Sequence, residues 1–467
     1  MAGGFVSSNA PLNTTGENKN YTFPLIVLTT LFFMWGFITC MNDILIPFLQ
    51  NVFNLSAAVI GLIQSAFFGA YFIVSLIYFL ISINKGDPIA KIGYKNGIII
   101  GLITAAIGCL LFYPAAEAKV YSLFLIALFV LASGITLLQM SANPYVALLG
   151  PSSSSSGRLN LTQAFNSFGT TIAPVVGGKL IFEAVGGKEH MTADAVKTPY
   201  LFLAGALLVL AGIIAMAKLP KFTGEKIEKG LGVLKYSHLT LGVVAIFMYV
   251  GGEVAIGSFL VRYFDELLGL KEAVAAGFVA YYWGGAMVGR FIGAALLTER
   301  NRNQKLALMA TITLIAVVAV YFVTDGSLST AFIVLGLIVG NCIAFAIGKS
   351  SPPRTLWIFS LIVMGLLITT FSTSGYVALW SVLAIGLFNS IMFPTIFTLA
   401  IKDLGKYTSQ GSSLLVMAIV GGAVMTPVMG LIVQKIGYQN GLLFPAICYL
   451  YILYYGISGY KIKQVAD

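Results

Sequence analysis

Two carboxylates stand where this chain offers them little water. Asp43 lies in Phe37-Ile-Thr-Cys-Met-Asn-Asp-Ile-Leu-Ile-Pro47, and Glu253 in Tyr249-Val-Gly-Gly-Glu-Val-Ala-Ile-Gly-Ser258. Each sits deep in an apolar run long enough to cross a membrane. A charged side chain there costs several kcal/mol and is as a rule retained for function. The bland alternative is a buried acid that only pairs or hydrogen-bonds. A desolvated carboxyl can hold a proton near neutral pH. Left ionised, it can ligate a cation through oxygen, which makes Asp43 a candidate Na+ ligand. These residues leave proton and sodium open.

Around the acids, amides crowd the same segments: Asn42, Gln64, Gln139, Asn143, Gln163, Asn166 and Asn389. An amide both donates and accepts, which suits sugar hydroxyls. Tyr281, Tyr282, Trp283 and Phe393 add flat faces that can stack on a pyranose ring. Taken singly, an amide reads as an interhelical hydrogen bond and an aromatic as packing or an interfacial belt. The combination points to a polyol site. Lys179, Arg262 and Arg290 are the remaining intramembrane cations. Their ordinary reading is snorkelling to the interface or, for Arg290, an ion pair that steadies a gate.

The elements that must position these groups follow from composition. The 467 residues are 58% hydrophobic and 9% charged, with mean hydropathy +0.93. A soluble domain carries about 25% charged residues, so the chain reads as a polytopic membrane protein. The net charge of +10 is not gathered on a soluble module, which argues against nucleic acid as a partner. Cys40, Cys109, Cys342 and Cys448 lie in apolar runs, and His190 and His238 are the only histidines. Disulfide frameworks and zinc sites are not expected. No G-x-x-x-x-G-K-[ST] loop occurs, and the Ser152–Ser156 run has no histidine partner and reads as a flexible cytoplasmic turn. The chain is therefore expected to be neither an enzyme nor an ATP-driven pump, and to need no cofactor beyond a coupling ion.

A crossing helix needs about 20 apolar residues. Spans are expected at 22–49, 57–83, 95–115, 120–149, 158–182 and 199–219, then at 238–264, 273–298, 304–323, 329–348, 354–373, 375–401, 411–434 and 438–460, about fourteen in all. Residues 1–21 read as a disordered cytoplasmic tail, 22–219 as a first six-helix bundle and 220–236 as a charged cytoplasmic linker. Residues 237–460 read as a second bundle, and 461–467 as a cytoplasmic tail. Lys85, Lys91, Lys95, Arg158, Arg300, Arg302, Lys305, Lys349, Arg354, Lys402, Lys406, Lys461 and Lys463 fall on one side when the N-terminus is inside. That asymmetry puts both termini in the cytoplasm.

The halves echo each other. Asn143-Pro144 followed by Ala173-Pro174 recurs as Phe393-Pro394 followed by Thr426-Pro427, and Gly61 to Tyr71 resembles Gly277 to Met287. Related halves with a site near the midplane are a common plan for secondary transporters. Gly169, Gly177 and Gly178 in one half answer Gly421, Gly422 and Gly430 in the other, and small residues let helices approach closely.

Several segments carry a family resemblance. They are Asn42-Asp43-Ile-Leu-Ile-Pro47, Gly61-Leu-Ile-Gln-Ser65, Ala142-Asn143-Pro144, Ala164-Phe165-Asn166-Ser167 and Tyr249-Val-Gly-Gly-Glu253. Further along come Tyr281-Tyr-Trp-Gly-Gly285, Phe388-Asn-Ser-Ile-Met-Phe-Pro-Thr395 and Met417-Ala-Ile-Val-Gly-Gly422. Over nearly its whole length the chain resembles the fucose/glucose–galactose symporters of the major facilitators. Lys91, Gly93, Tyr94 and Lys95 look like a degenerate form of the superfamily's loop between its second and third helices. The resemblance implies an all-α major facilitator fold of two pseudo-symmetric six-helix bundles. It also implies cation-coupled sugar uptake by alternating access. Fucose permeases use an Asp on the first helix and a Glu on the fourth; Asp43 matches the first, and Gln139 stands where the second would be. Glu253 occupies a place where fucose permeases tend to have Gln. The pattern is nearer the bacterial glucose/galactose transporters, with other sugars, including N-acetylhexosamines, left open. Beyond a core of twelve helices, an extra pair is expected within about 321–374.

The expectation is a monomeric monosaccharide symporter of the bacterial inner membrane. Asp43 and Glu253 would couple the cation. Asn42, Gln64, Gln139, Asn143, Gln163, Asn166, Glu253, Tyr282, Trp283, Asn389 and Phe393 would bind the sugar. A drug/proton antiporter would need a cavity of aromatics and Met, and a transporter-like sugar sensor would bind without turnover.

Overall fold

The computed structural model describes residues 21–53, 57–178, 192–220 and 229–463. The expected N-terminal tail up to Asn20, most of the charged linker and Lys179 lie outside them. Among the described residues the chain is helical throughout. The first half holds α1 (Thr22–Phe53), α2 (Ala57–Lys85), the short α3 (Pro88–Ile92), α4 (Tyr94–Ala118), α5 (Tyr121–Leu148), α6 (Ser155–Gly178) and α7 (Lys197–Met216). The second holds α8 (Ser237–Leu268), α9 (Glu272–Leu296), α10 (Arg302–Val323), α11 (Leu328–Gly348), α12 (Pro352–Ser372), α13 (Gly375–Asn389) and α14 (Met392–Ala400). It ends with α15 (Thr408–Met417), α16 (Gly421–Ile436), α17 (Tyr438–Gly441) and α18 (Ala446–Tyr454). Twelve segments among the described residues are long and apolar enough to cross a membrane. α6 and α9 are of comparable length but are not among them. They carry much of the polar chemistry of the centre.

Helix ends are set by local chemistry. Asp87 caps α3 by accepting from the Ala90 N–H, with Pro88 at the first helical position, where a missing N–H does no harm. Asn301 caps α10 through the Gln304 N–H at 2.8 Å. Gly269 closes α8 in the left-handed region at φ 63°, which a side chain would disfavour. The Ser152–Ser156 run, expected as a flexible turn, is wound into a 3-10 turn that leads directly into α6.

Each half is pinned by backbone-to-backbone packing. A Cβ at Gly169 would fall on the carbonyl of Phe33, joining α6 to α1, and a Cβ at Gly421 would fall on that of Phe247, joining α16 to α8. The same device in equivalent helices is the internal repeat expressed as packing. On the outside of the second half, α10 has no buried residue and packs on α9 and α11, whereas α12 packs into α13 and α18.

Candidate functional site

The carboxylate of Glu253, on α8, is the acid that the described side chains place at the centre. It is 7% exposed, and its Oε1 has no hydrogen-bond partner in the protein. Arg290 of α9 brings Nη2 to 4.0 Å from it. The same guanidinium donates Nε to the Ser390 carbonyl at 3.1 Å and Nη1 to Ser167 Oγ on α6, in the opposite half. Ser167 Oγ lies 3.1 Å from the Gln163 carbonyl, and Gln163 Nε2 lies 3.5 Å from Asn143 Oδ1. Asn143 Nδ2 is buried and unpartnered. A polar chain thus runs from Glu253 to Asn143 across the seam. At its two ends Glu253 Oε1, ion-paired with Arg290, and Asn143 Nδ2 lack a hydrogen-bond partner, which is costly unless another group supplies the bond.

A second network stiffens the Glu253 side. Asn389 donates Nδ2 to Tyr282 Oη at 3.0 Å and accepts from Tyr449 Oη at 2.9 Å. Tyr282 Oη in turn donates to the Glu253 carbonyl at 3.1 Å, and Tyr249 Oη to the Asn389 carbonyl at 3.3 Å. Asn389, Tyr282, Tyr249 and Tyr449 are each at most 1% exposed. Their bonds are largely spent on one another, so they hold the backbone of Glu253 in place.

Two prolines explain where the seam finds its acceptors. Proline lacks the N–H that would bond the carbonyl four residues back. Pro394 therefore leaves Ser390 O free, at the break between α13 and α14, and Arg290 takes it. Pro144 leaves Met140 O free, and Ser412 Oγ of the other half takes it at 3.0 Å. These two prolines are the first of each pair in the internal repeat. Broken or proline-bearing helices at membrane depth stand only where other protein groups satisfy the backbone.

The halves close at the end that carries most of the basic loops. Ser153 bonds Glu299, Ser156 Oγ lies 3.1 Å from Thr398 Oγ1, and Ser409 Oγ lies 3.2 Å from Tyr94 Oη. Above them Phe165 meets Phe291 edge-on at 5.5 Å. A Cβ at Gly157 would be 2.5 Å from the Leu297 carbonyl.

The expected site residues divide as follows. Gln139, Asn143, Gln163, Glu253, Tyr282 and Asn389 are buried in the two networks or beside them. Asn166 is tied to the Phe32 carbonyl at 3.0 Å and so also secures the α1–α6 joint. Trp283 is 42% exposed, while Phe393, 9% exposed, stacks on Phe397 at 5.9 Å. Asn42, Asp43 and Gln64 lie on α1 and α2, and their side chains fall outside the described residues. Arg262 is exposed. Arg290 does not snorkel: its side chain is 14% exposed and sits in the seam. Sequence reasoning weighed a gate-steadying ion pair for it but missed Ser167, Ser390, Tyr249 and Tyr449. The signal for Ser390 was available in Pro394, four residues on.

The family model described as Major Facilitator Superfamily matches residues 26–351. A glucose/galactose transporter of Brucella abortus is 47% identical over 464 residues, covering 98% of this chain and 99% of that protein. The L-fucose-proton symporter of Escherichia coli is 34% identical, covering 94% and 93%. The crystal structure of a major facilitator transporter, FucP, in the outward conformation superposes with a TM-score of 0.74 at 32% identity, over 94% of this chain and 99% of that one. With the model matched over more than half its length and such relatives along nearly all of it, the chain belongs to the major facilitator superfamily.

Proposed function

We propose that this protein carries a monosaccharide of the glucose/galactose type into the bacterial cell by cation symport, through alternating access of two halves. The observation that carries the reading is the polar chain from Glu253 through Arg290, Ser167 and Gln163 to Asn143. It joins both halves and ends on each side in a polar atom that lacks a hydrogen-bond partner. A sugar's hydroxyls donate and accept at once and so suit both ends. Gln139, Asn143, Gln163 and Asn166 serve one face of the sugar, and Glu253, Tyr282, Trp283, Asn389 and Phe393 the other, with Asn42 and Gln64 completing the site. Asp43 couples the cation, and its carboxylate is the candidate ligand if that ion is sodium. The glucose/galactose and fucose transporters among the relatives support the substrate class.

Adding α6 and α9 to the twelve apolar segments brings the crossings to fourteen. The added pair is α10 and α11, which begins upstream of the 321–374 window and ends within it, because α12 is the helix that packs into the bundle. The remaining twelve make two six-helix bundles, with residues 220–236 between them. The basic end is cytoplasmic, along with both termini. Closure there leaves the site facing the opposite side.

Uptake of labelled glucose, galactose, fucose and N-acetylglucosamine into vesicles, under separate sodium and proton gradients, tests the reading. One charge moved through 100 mV supplies about 2.3 kcal/mol, or roughly 50-fold accumulation. Asp43→Asn is expected to lose that accumulation while keeping sugar counterflow. No uptake under either gradient sinks the symporter, and undiminished accumulation by the variant sinks the coupling role.

A further inference from the structure

A groove of about 540 Å³ opens on the outer face of the second half, away from the seam. It runs between the first turns of α12 and the end of α18, where the chain winds into a π-helical turn at Tyr455–Gly459. Arg354 and Lys461 line it, and no acidic residue does so among the described residues. Trp357 and Tyr460 stand beside the cations, and Leu361, Leu453 and Ile457 continue the wall. The backbones of α12 and the π-turn meet closely here: a Cβ at Gly456 would be 3.0 Å from Trp357 N. π-turns inside α-helices are frequent at functional sites.

We propose that this groove is a binding site for an anionic phospholipid. The phosphate lies between Arg354 and Lys461, and the acyl chains run along Leu361, Leu453 and Ile457. Three features of the groove fit that occupant and fit a neutral lipid or a soluble anion less well. Both cations line one recess, and Arg354 and Lys461 are exposed. The N-terminal end of α12 adds its partial positive charge, since Ser351 makes no side-chain cap. The apolar wall matches a ligand whose charged head carries hydrocarbon, and Trp357 and Tyr460 mark the depth at which headgroup and hydrocarbon meet. Basic pockets between membrane helices hold anionic headgroups by this chemistry. The inference rests on membrane embedding and does not depend on the transported substrate.

Brominated phosphatidylglycerol and brominated phosphatidylcholine, offered at equal mole fraction to the full chain in phosphatidylcholine bilayers, give a local readout. The signal is the part of the tryptophan fluorescence that Trp357→Phe removes. Phosphatidylglycerol is expected to quench it preferentially, by roughly fivefold in affinity for each cation. The preference disappears in R354Q/K461Q, survives in R354K/K461R and is unchanged in R302Q, whose cation is at the same end but outside the groove. Equal quenching by the two lipids, or a preference that survives R354Q/K461Q, overturns the proposal. Displacement of brominated phosphatidylglycerol by millimolar inorganic phosphate also overturns it, assigning the groove to a free anion.

Discussion

The guanidinium of Arg290 stands 4.0 Å from the carboxylate of Glu253 and at the same time donates across the seam to Ser167. One side chain therefore serves the acid and the joint between halves together. Removing one partner of a buried pair costs about 3–5 kcal/mol, because the other charge is left without compensation. Arg290→Gln is expected to lose stability of that order and to lose uptake; thermal unfolding in detergent and vesicle assays measure each. Glu253→Gln leaves the Arg290 charge with only the neutral acceptors Ser167 and Ser390, so it is expected to lose stability of comparable order and to lose sugar uptake.

The prolines of the repeat give a separate prediction. Pro144→Ala restores an N–H that competes with Ser412 for the Met140 carbonyl. The loss of one seam hydrogen bond, about 1 kcal/mol, shifts the closed population roughly fivefold. The paired substitution Ser153→Cys and Glu299→Cys, with Cys40, Cys109, Cys342 and Cys448 replaced, reports closure by oxidative cross-linking. Pro144→Ala is expected to lower the cross-linking yield, and an unchanged yield counts against a role for the freed carbonyl.

Asp87 supplies a pH dependence outside the crossing segments. It is 2% exposed, its Oδ1 accepts from Tyr78 and from Ala90 N, and Oδ2 is unpartnered. Burial pushes its carboxyl above the ordinary value, against the pull of the Tyr78 and backbone hydrogen bonds. The folded state thus keeps this proton to higher pH than the unfolded chain. Its stabilising contribution is full below the unfolded value, about 3.9, and is lost as pH rises through the folded one. Asp87→Asn keeps the cap and is expected to flatten that fall in melting temperature against pH. Asp87→Ala, which loses the cap, is expected to cost about 1–2 kcal/mol.

Much of this was legible in the sequence, and the reasons differ by residue. Helix positions follow from runs of apolar residues, which need no partner to be recognised. Glu253, Asn143 and Asn389 stood out because polar groups are rare at that depth. Arg290 read ambiguously, since a cation near a helix end snorkels unless a neighbouring helix supplies acceptors. Those acceptors, Ser167 and Ser390, lie 123 and 100 residues away along the chain. Tyr249 and Tyr449 looked like ordinary aromatic packing, because periodicity cannot show that their hydroxyls converge on Asn389. α10, α11 and α12 are all apolar, so the sequence alone does not tell which two are added to a twelve-helix core; only packing separates them.

That packing predicts a removable hairpin. Lys305 Nζ bonds both Leu296 O at 2.9 Å and Ser350 Oγ at 3.3 Å, so the entry to α10 and the exit from α11 are neighbours. Replacing residues 302–349 by a short polar linker is expected to leave a folded carrier with sugar uptake within a few-fold of the parent. Loss of monodisperse protein in size-exclusion chromatography would show that the pair is structural.

The glycine contacts of Gly169 with Phe33 and of Gly421 with Phe247 have a mechanical consequence. Where backbones touch, no side chain remains between them to yield, so α1 with α6, and α8 with α16, are stiff beams. Across the seam the halves meet through hydroxyl and guanidinium bonds, one ring contact and the Gly157–Leu297 approach, so compliance is expected to be greater there than within either half. A push at Glu253 is not dissipated within its own half but turns that half as a lever. The speed of the cycle is accordingly expected to respond more to substitutions at these joints than to substitutions within either half.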